Sequence, residues 1–87
     1  ETDIKKQIKD YLNIKGWFNF PLLQGLGSYK GLPDMIACKD GQVLFIEAKT
    51  ATGGQTEYQV LFQQKIEKVG CRYVLVRNIE DLQKEGI

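Results

Sequence analysis

Apolar residues recur at helical spacing near the start of the chain, where Ile4, Ile8, Tyr11, Leu12 and Ile14 alternate with lysines. Gly16 follows, so the pattern predicts an amphipathic helix over residues 2–14. Trp17-Phe18-Asn19-Phe20 is a short aromatic run of strand type, stopped by Pro21. Residues 21–33 hold three glycines and two prolines and predict a long loop. Beyond it, 35–39 and 42–49 are dense in β-formers on either side of Asp40-Gly41, the signature of a two-residue hairpin. Ile36, Ala37, Val43, Leu44, Phe45 and Ile46 make that hairpin apolar on both faces, so it is expected to be covered on both sides.

Thr56 and Gln59 form a capping box that opens a second helix. Tyr58, Leu61, Phe62, Ile66 and Val69 carry its apolar face, and Gly70 ends it. Residues 71–77 read as a strand that returns in parallel beside the central strand, completing a right-handed crossover. Asn78 caps a short last helix over 79–84. The order is helix, strand, strand, strand, helix, strand, helix. This is an α/β (α+β) chain with a mixed sheet, an Asp40-Gly41 hairpin and a helix crossover, and residues 1–87 make a single domain.

The hairpin also carries the candidate chemistry. A two-residue turn at Asp40-Gly41 pairs residues whose numbers sum to 81, which sets Asp34 opposite Glu47 with Cβ atoms about 5 Å apart. Directly opposed like charges destabilise a sheet, so a positive group is expected between them, and a divalent metal is the simplest. Lys49 lies on the face of Glu47, whereas Ala48 points the other way. Taken singly, Asp34 reads as a turn or capping carboxylate, and Glu47 and Lys49 as a solvated strand end. Taken together in this register, they read as a site.

Composition narrows the setting. At 87 residues only about 60–65% of the extended chain's surface is hidden on folding, so the core is small and oligomerisation is expected. A 43% hydrophobic content excludes a disordered chain. Twelve Lys and Arg against eleven Asp and Glu leave a net charge of +1, so any nucleic-acid binding must come from a local patch. With no His and only Cys38 and Cys71, a thiolate or imidazole zinc site is excluded. Both cysteines fall in apolar strand-like runs and are expected as reduced core residues. No apolar run approaches the roughly 20 residues of a membrane span and no signal-peptide pattern is present, so a cytoplasmic protein is expected.

Pro33-Asp34, then twelve residues, then Glu47-Ala48-Lys49 resembles the PD-(D/E)xK signature of a nuclease superfamily with an αβββαβ, restriction-endonuclease-like core. Within it, the chain most resembles the VRR-NUC (virus-type replication and repair nuclease) domain. The likeness rests on Glu1, Gly31-Leu32-Pro33-Asp34, Leu44-Phe45-Ile46-Glu47-Ala48-Lys49 and Gln59, in that order along nearly the whole chain. The resemblance implies metal-dependent hydrolysis of DNA phosphodiesters by a dimer acting on branched or Holliday-junction-like DNA. It implies Mg²⁺ or Mn²⁺ on Asp34, Glu47 and the Ala48 carbonyl, with Glu1 reaching the metal through water. Lys49 would orient the attacking water and stabilise charge on the phosphorane. Gln59 either joins the site at its helix N-terminus or is only the capping partner of Thr56. Glu1 has an equally simple alternative as a favourable helix-dipole charge.

Several basic residues could contact phosphates: Lys5, Lys6 and Lys9 on the first helix, Lys30 in the loop, and Arg72 and Arg77 on the last strand. Tyr29 and Lys30 are the stronger pair, because the loop enters beside Asp34, whereas a charged helix face is usually just solvated. Trp17, Phe18 and Phe20 read as core or dimer interface rather than base-stacking platforms. Beside the endonuclease stand two other readings: a non-catalytic DNA-binding module on a nuclease scaffold, and an interaction domain with no nucleic-acid partner.

Overall fold

Asp40 and Gly41 both take positive φ, 50° and 78°, the sign that a two-residue hairpin turn of the I′ type requires. That turn sets the register of the strands it joins, and they pair from Met35↔Ile46 to Lys39↔Gln42, so the sum of 81 holds along the ladder. The computed structural model describes residues 2–87, in the order α1 (Thr2–Ile14), β1 (Phe18–Pro21), β2 (Met35–Lys39), β3 (Gln42–Ala48), α2 (Glu57–Lys68), β4 (Arg72–Val76) and α3 (Ile79–Lys84). The reading of Glu1 as an acid near the metal lies outside the described residues. Strands β1, β2 and β3 run antiparallel and β4 joins β3 in parallel, giving one open, mixed, four-stranded sheet in the order β1-β2-β3-β4. No helix among the described residues is long and apolar enough to cross a membrane.

Alternation along β3 divides the molecule. Leu44, Ile46 and Ala48 are fully buried in a cluster that includes Ile8 and Leu12 of α1 and Leu82 of α3. Phe45 and Glu47 therefore face the other way, where Phe62 of α2 packs between Phe45 and Tyr73 with centroids 5.8 and 6.3 Å apart. A helix is only about 10–12 Å across and strands are about 4.8 Å apart, so α2 roofs little more than two strands. The hairpin is thus not covered on both sides as expected. On the far half of the α2 face Phe18 is 68% exposed, and Phe20 and Val43 are also exposed. The same geometry corrects the cysteines: Cys38, paired with Phe18 and Val43, is only half-buried, and Cys71, just past α2, is exposed.

The loop between β1 and β2 closes on itself and docks on α2. Leu22 donates its N–H to the Asp34 carbonyl (2.9 Å), and the Gln24 amide reaches the Leu32 carbonyl (2.5 Å). Gly31 has φ of +87°, and a Cβ there would lie 2.2 Å from the Tyr58 carbonyl oxygen. Only glycine allows the chain to pass this close to the first turn of α2. Gly31→Ala is expected to cost about 1–3 kcal/mol from the backbone conformation alone, with the clash added, and to lower the urea midpoint accordingly.

Candidate active site

Glu47 is fully buried, and its surroundings explain how a carboxylate survives there. Its Oε1 accepts hydrogen bonds from the Tyr73 hydroxyl and from the Gln55 amide, the latter at 3.0 Å. Gln55 is held in turn by Gln63, whose Oε1 accepts from the same amide at 2.8 Å. The other oxygen, Oε2, has no hydrogen-bond partner, and the Lys49 ammonium stands 3.5 Å from it. This carboxylate thus has one oxygen held by two donors and the other buried without a hydrogen bond.

Asp34 lies one residue beyond the last pair of the β2–β3 ladder. Its N–H still donates to the Ile46 carbonyl (3.0 Å), but its side chain ends the sheet: Oδ2 accepts the Ala48 N–H at 2.7 Å. Lys5 of α1 approaches Oδ1 at 3.2 Å. Asp34 and Glu47 are therefore not a ladder pair: Asp34 bonds the backbone of the residue that follows Glu47 instead. The positive charge that this arrangement requires is present within the chain, as Lys5 on one acid and Lys49 on the other. The Lys5 pair is partly exposed and worth little alone; the Lys49 pair is largely shielded from water, where the cost of desolvating both groups offsets their attraction.

An open cleft of about 740 Å³ exposes Asp34, Lys49, Gln59, Lys30 and Tyr58 together, with Glu47 buried beneath Lys49. Gln59 makes the capping box in full: its Oε1 accepts the Thr56 N–H at 2.9 Å, and its own N–H donates to Thr56 Oγ1 at 3.2 Å. It thus caps α2 and lines the cleft at once. Ala48 is buried, with its N–H on Asp34. On the α1 side a groove of about 630 Å³ brings Lys5, Lys6 and Lys9 to Asp34 and Phe20, although Lys6 is paired with Asp10 at 3.1 Å. Tyr29 accepts a hydrogen bond from Lys65 at 3.0 Å, and Lys30 lies over the Tyr58 ring. Arg72 on β4 and Arg77 just beyond it are engaged elsewhere. Arg72 bonds the Glu85 carbonyl, and Arg77 donates to the carbonyls of Thr50 (2.6 Å) and Gly53 (2.5 Å).

Tyr73 and Gln55 were not predicted as site residues. A signal existed for Tyr73: a phenol inside an apolar strand must find a buried partner, and the parallel register Phe45↔Tyr73 puts it on the face of Glu47. Gln55 sits in an irregular connection, where no periodicity could mark it. No protein-family model matches the chain, and no curated protein matches it either.

Burial raises the Tyr73 phenol above its ordinary value, and its hydrogen bond to the Glu47 carboxylate raises it further. Below about pH 10 the neutral phenol is kept in both folded and unfolded chains, so its contribution to stability is constant. Above that, the unfolded chain releases the proton and the folded one does not, so stability falls with rising pH by up to about 1.4 kcal/mol per unit. In metal-free protein, Tyr73→Phe is expected to cost about 1–3 kcal/mol at neutral pH and to flatten the alkaline decline relative to the parent. Urea melts of both proteins from pH 7 to 11 check this.

Proposed function

We propose that this chain is a metal-dependent DNA endonuclease on a restriction-endonuclease-like core of the VRR-NUC type, cytoplasmic and homodimeric, which hydrolyses phosphodiester bonds in branched or Holliday-junction-like DNA. The observation that carries the reading is Glu47, a fully buried acid with one oxygen pinned by two donors and the other unpaired beside Lys49. Taking a carboxylate out of water costs on the order of several kcal/mol, and a fold that only needed packing would gain by an apolar residue there. The element order of helix, three strands, helix and strand supports the core assignment.

The donor set fits a hard divalent ion. Two carboxylates, one with an unpartnered oxygen, are the ligands that Mg²⁺ and Mn²⁺ prefer, and Mg²⁺ keeps several waters. No group of three acidic, His or Cys side chains gathers among the described residues, so the remaining positions would fall to water and to the Ala48 carbonyl, with Glu1 acting through water. Such an ion, when bound, would neutralise phosphate charge and make a bound water more acidic than bulk water.

The chain's own groups do the rest. Tyr73 and Gln55 hold Glu47 in one rotamer, so its free oxygen keeps one aim. Lys49 lines the cleft and presents its ammonium to the phosphate, where it orients the attacking water and stabilises the charge that develops. Gln59 stands at the start of α2, whose free N–H groups favour an anion. Tyr29 and Lys30 beside the cleft, and Lys5 and Lys9 in the α1-side groove that Asp34 also lines, meet the DNA backbone. The exposed patch of Phe18, Phe20 and Val43 supplies an apolar surface for a second copy.

One observation favours a second reading, the non-catalytic DNA-binding module: both acids already have ammonium partners within the chain. The two readings separate by assay. Purified protein is expected to nick plasmid DNA with Mg²⁺ or Mn²⁺ and to lose this in EDTA. Lys49→Ala should lower the rate by about 100-fold or more while largely keeping DNA affinity. Binding without cleavage under every divalent ion offered selects the module instead.

A further inference from the structure

A second concavity opens beside the candidate cleft; Tyr29 and Lys30 on its wall enter the proposal above only as backbone contacts, and Tyr58 and Lys65 do not enter it. It encloses about 360 Å³ between Tyr29, Lys30, Tyr58, Leu61, Phe62 and Lys65. Lys30 and Tyr58 also line the cleft of Asp34 and Lys49, so the two hollows adjoin. Close passage of Gly31 against Tyr58 keeps the loop wall and the helix wall together.

The lining pairs rings with lysines. Tyr58 is 53% exposed and Tyr29 is 54% exposed, and each ring has a lysine ammonium over it: Lys30 at 5.0 Å from the Tyr58 centroid, Lys65 at 5.7 Å from that of Tyr29. No acid among the described residues lines this hollow. Apolar ring faces interleaved with ammonium groups match a ligand in which planar bases alternate with phosphates. A base can present its face to a tyrosine only when it is not enclosed in a duplex stack.

We infer that this groove takes unpaired nucleotides of single-stranded nucleic acid, with a base against Tyr58 and the flanking phosphates at Lys30 and Lys65. As a substrate subsite the inference rests on the nuclease reading: it places the single-stranded part of a branched substrate next to the scissile phosphate. The chemistry would also admit a simple polyanion such as an acidic peptide. The lysines are common to both, and the rings decide for bases.

The experiment is fluorescence anisotropy at low salt in EDTA, with a labelled oligothymidylate of about 10 nucleotides and an abasic oligonucleotide of the same length. Stacking predicts about tenfold tighter binding of the base-bearing strand. Tyr58→Ala should remove that preference and Tyr58→Phe should keep it. Lys30→Ala should weaken both strands alike and reduce the salt dependence of binding. Because Tyr58 is half-exposed on α2, circular dichroism is expected to be unchanged in its variants. Equal binding of the two strands, an unchanged preference in Tyr58→Ala, tighter binding of a blunt duplex, or full competition by polyglutamate would each overturn the inference. Base-dependent binding that persists in a protein unable to cut DNA under any divalent ion counts against the nuclease reading and supports the groove.

Discussion

The burial of one carboxylate organises this protein. Glu47 sits where β3 passes under α2, out of reach of water, and a charge in that position must be answered from every side. The answers come from four separate parts of the chain: Tyr73 from β4, Gln55 from the connection to α2, Gln63 from the helix through Gln55, and Lys49 from the end of its own strand. None of these contacts is local to β3 except the last. The site is therefore assembled only when the parallel strand and the crossover helix are both in place, which ties the chemistry of the site to the completion of the fold.

Asp34 shows a different economy. It stands at the open end of the hairpin, where a sheet would normally leave an N–H without a partner, and it closes that end with a side chain instead of a strand. The same carboxylate touches both layers of the molecule, lining the cleft on the α2 side and the lysine groove on the α1 side. A single short acid thus joins two surfaces that the sheet otherwise separates.

Most of the scaffold was legible in the residues because its signals are local. The Asp40-Gly41 turn, the Thr56 and Gln59 capping box, the terminating Gly70 and the Asn78 cap each act within a few residues, and each is where the spacing puts it. The register of β2 against β3 followed from the turn alone as far as Met35 and Ile46, but it did not foresee that Asp34 leaves the ladder to bond the Ala48 N–H. What was not legible depends on widths and on distant partners. Apolar residues on both faces of the hairpin do not say that one helix is too narrow to roof it, which left Phe18, Val43 and Cys38 less covered than expected. Opposed acids call for positive charge without saying whether an ion or a lysine brings it, and Lys5 is far from Asp34 in sequence. Sequence spacing likewise cannot pair Gln55 with Glu47, because the connection between β3 and α2 has no period.

Arg77 lies just beyond the last strand, away from the acids, yet its guanidinium grips the carbonyls of Thr50 and Gly53 and so anchors the segment that delivers Gln55. That segment cannot swing outward unless two charge-assisted hydrogen bonds break first. The aim of the buried acid is consequently set from a distance: a remote cation acts as the latch on a strap, and the stiffness of the pocket is a property of the whole sheet edge rather than of the groups that line it.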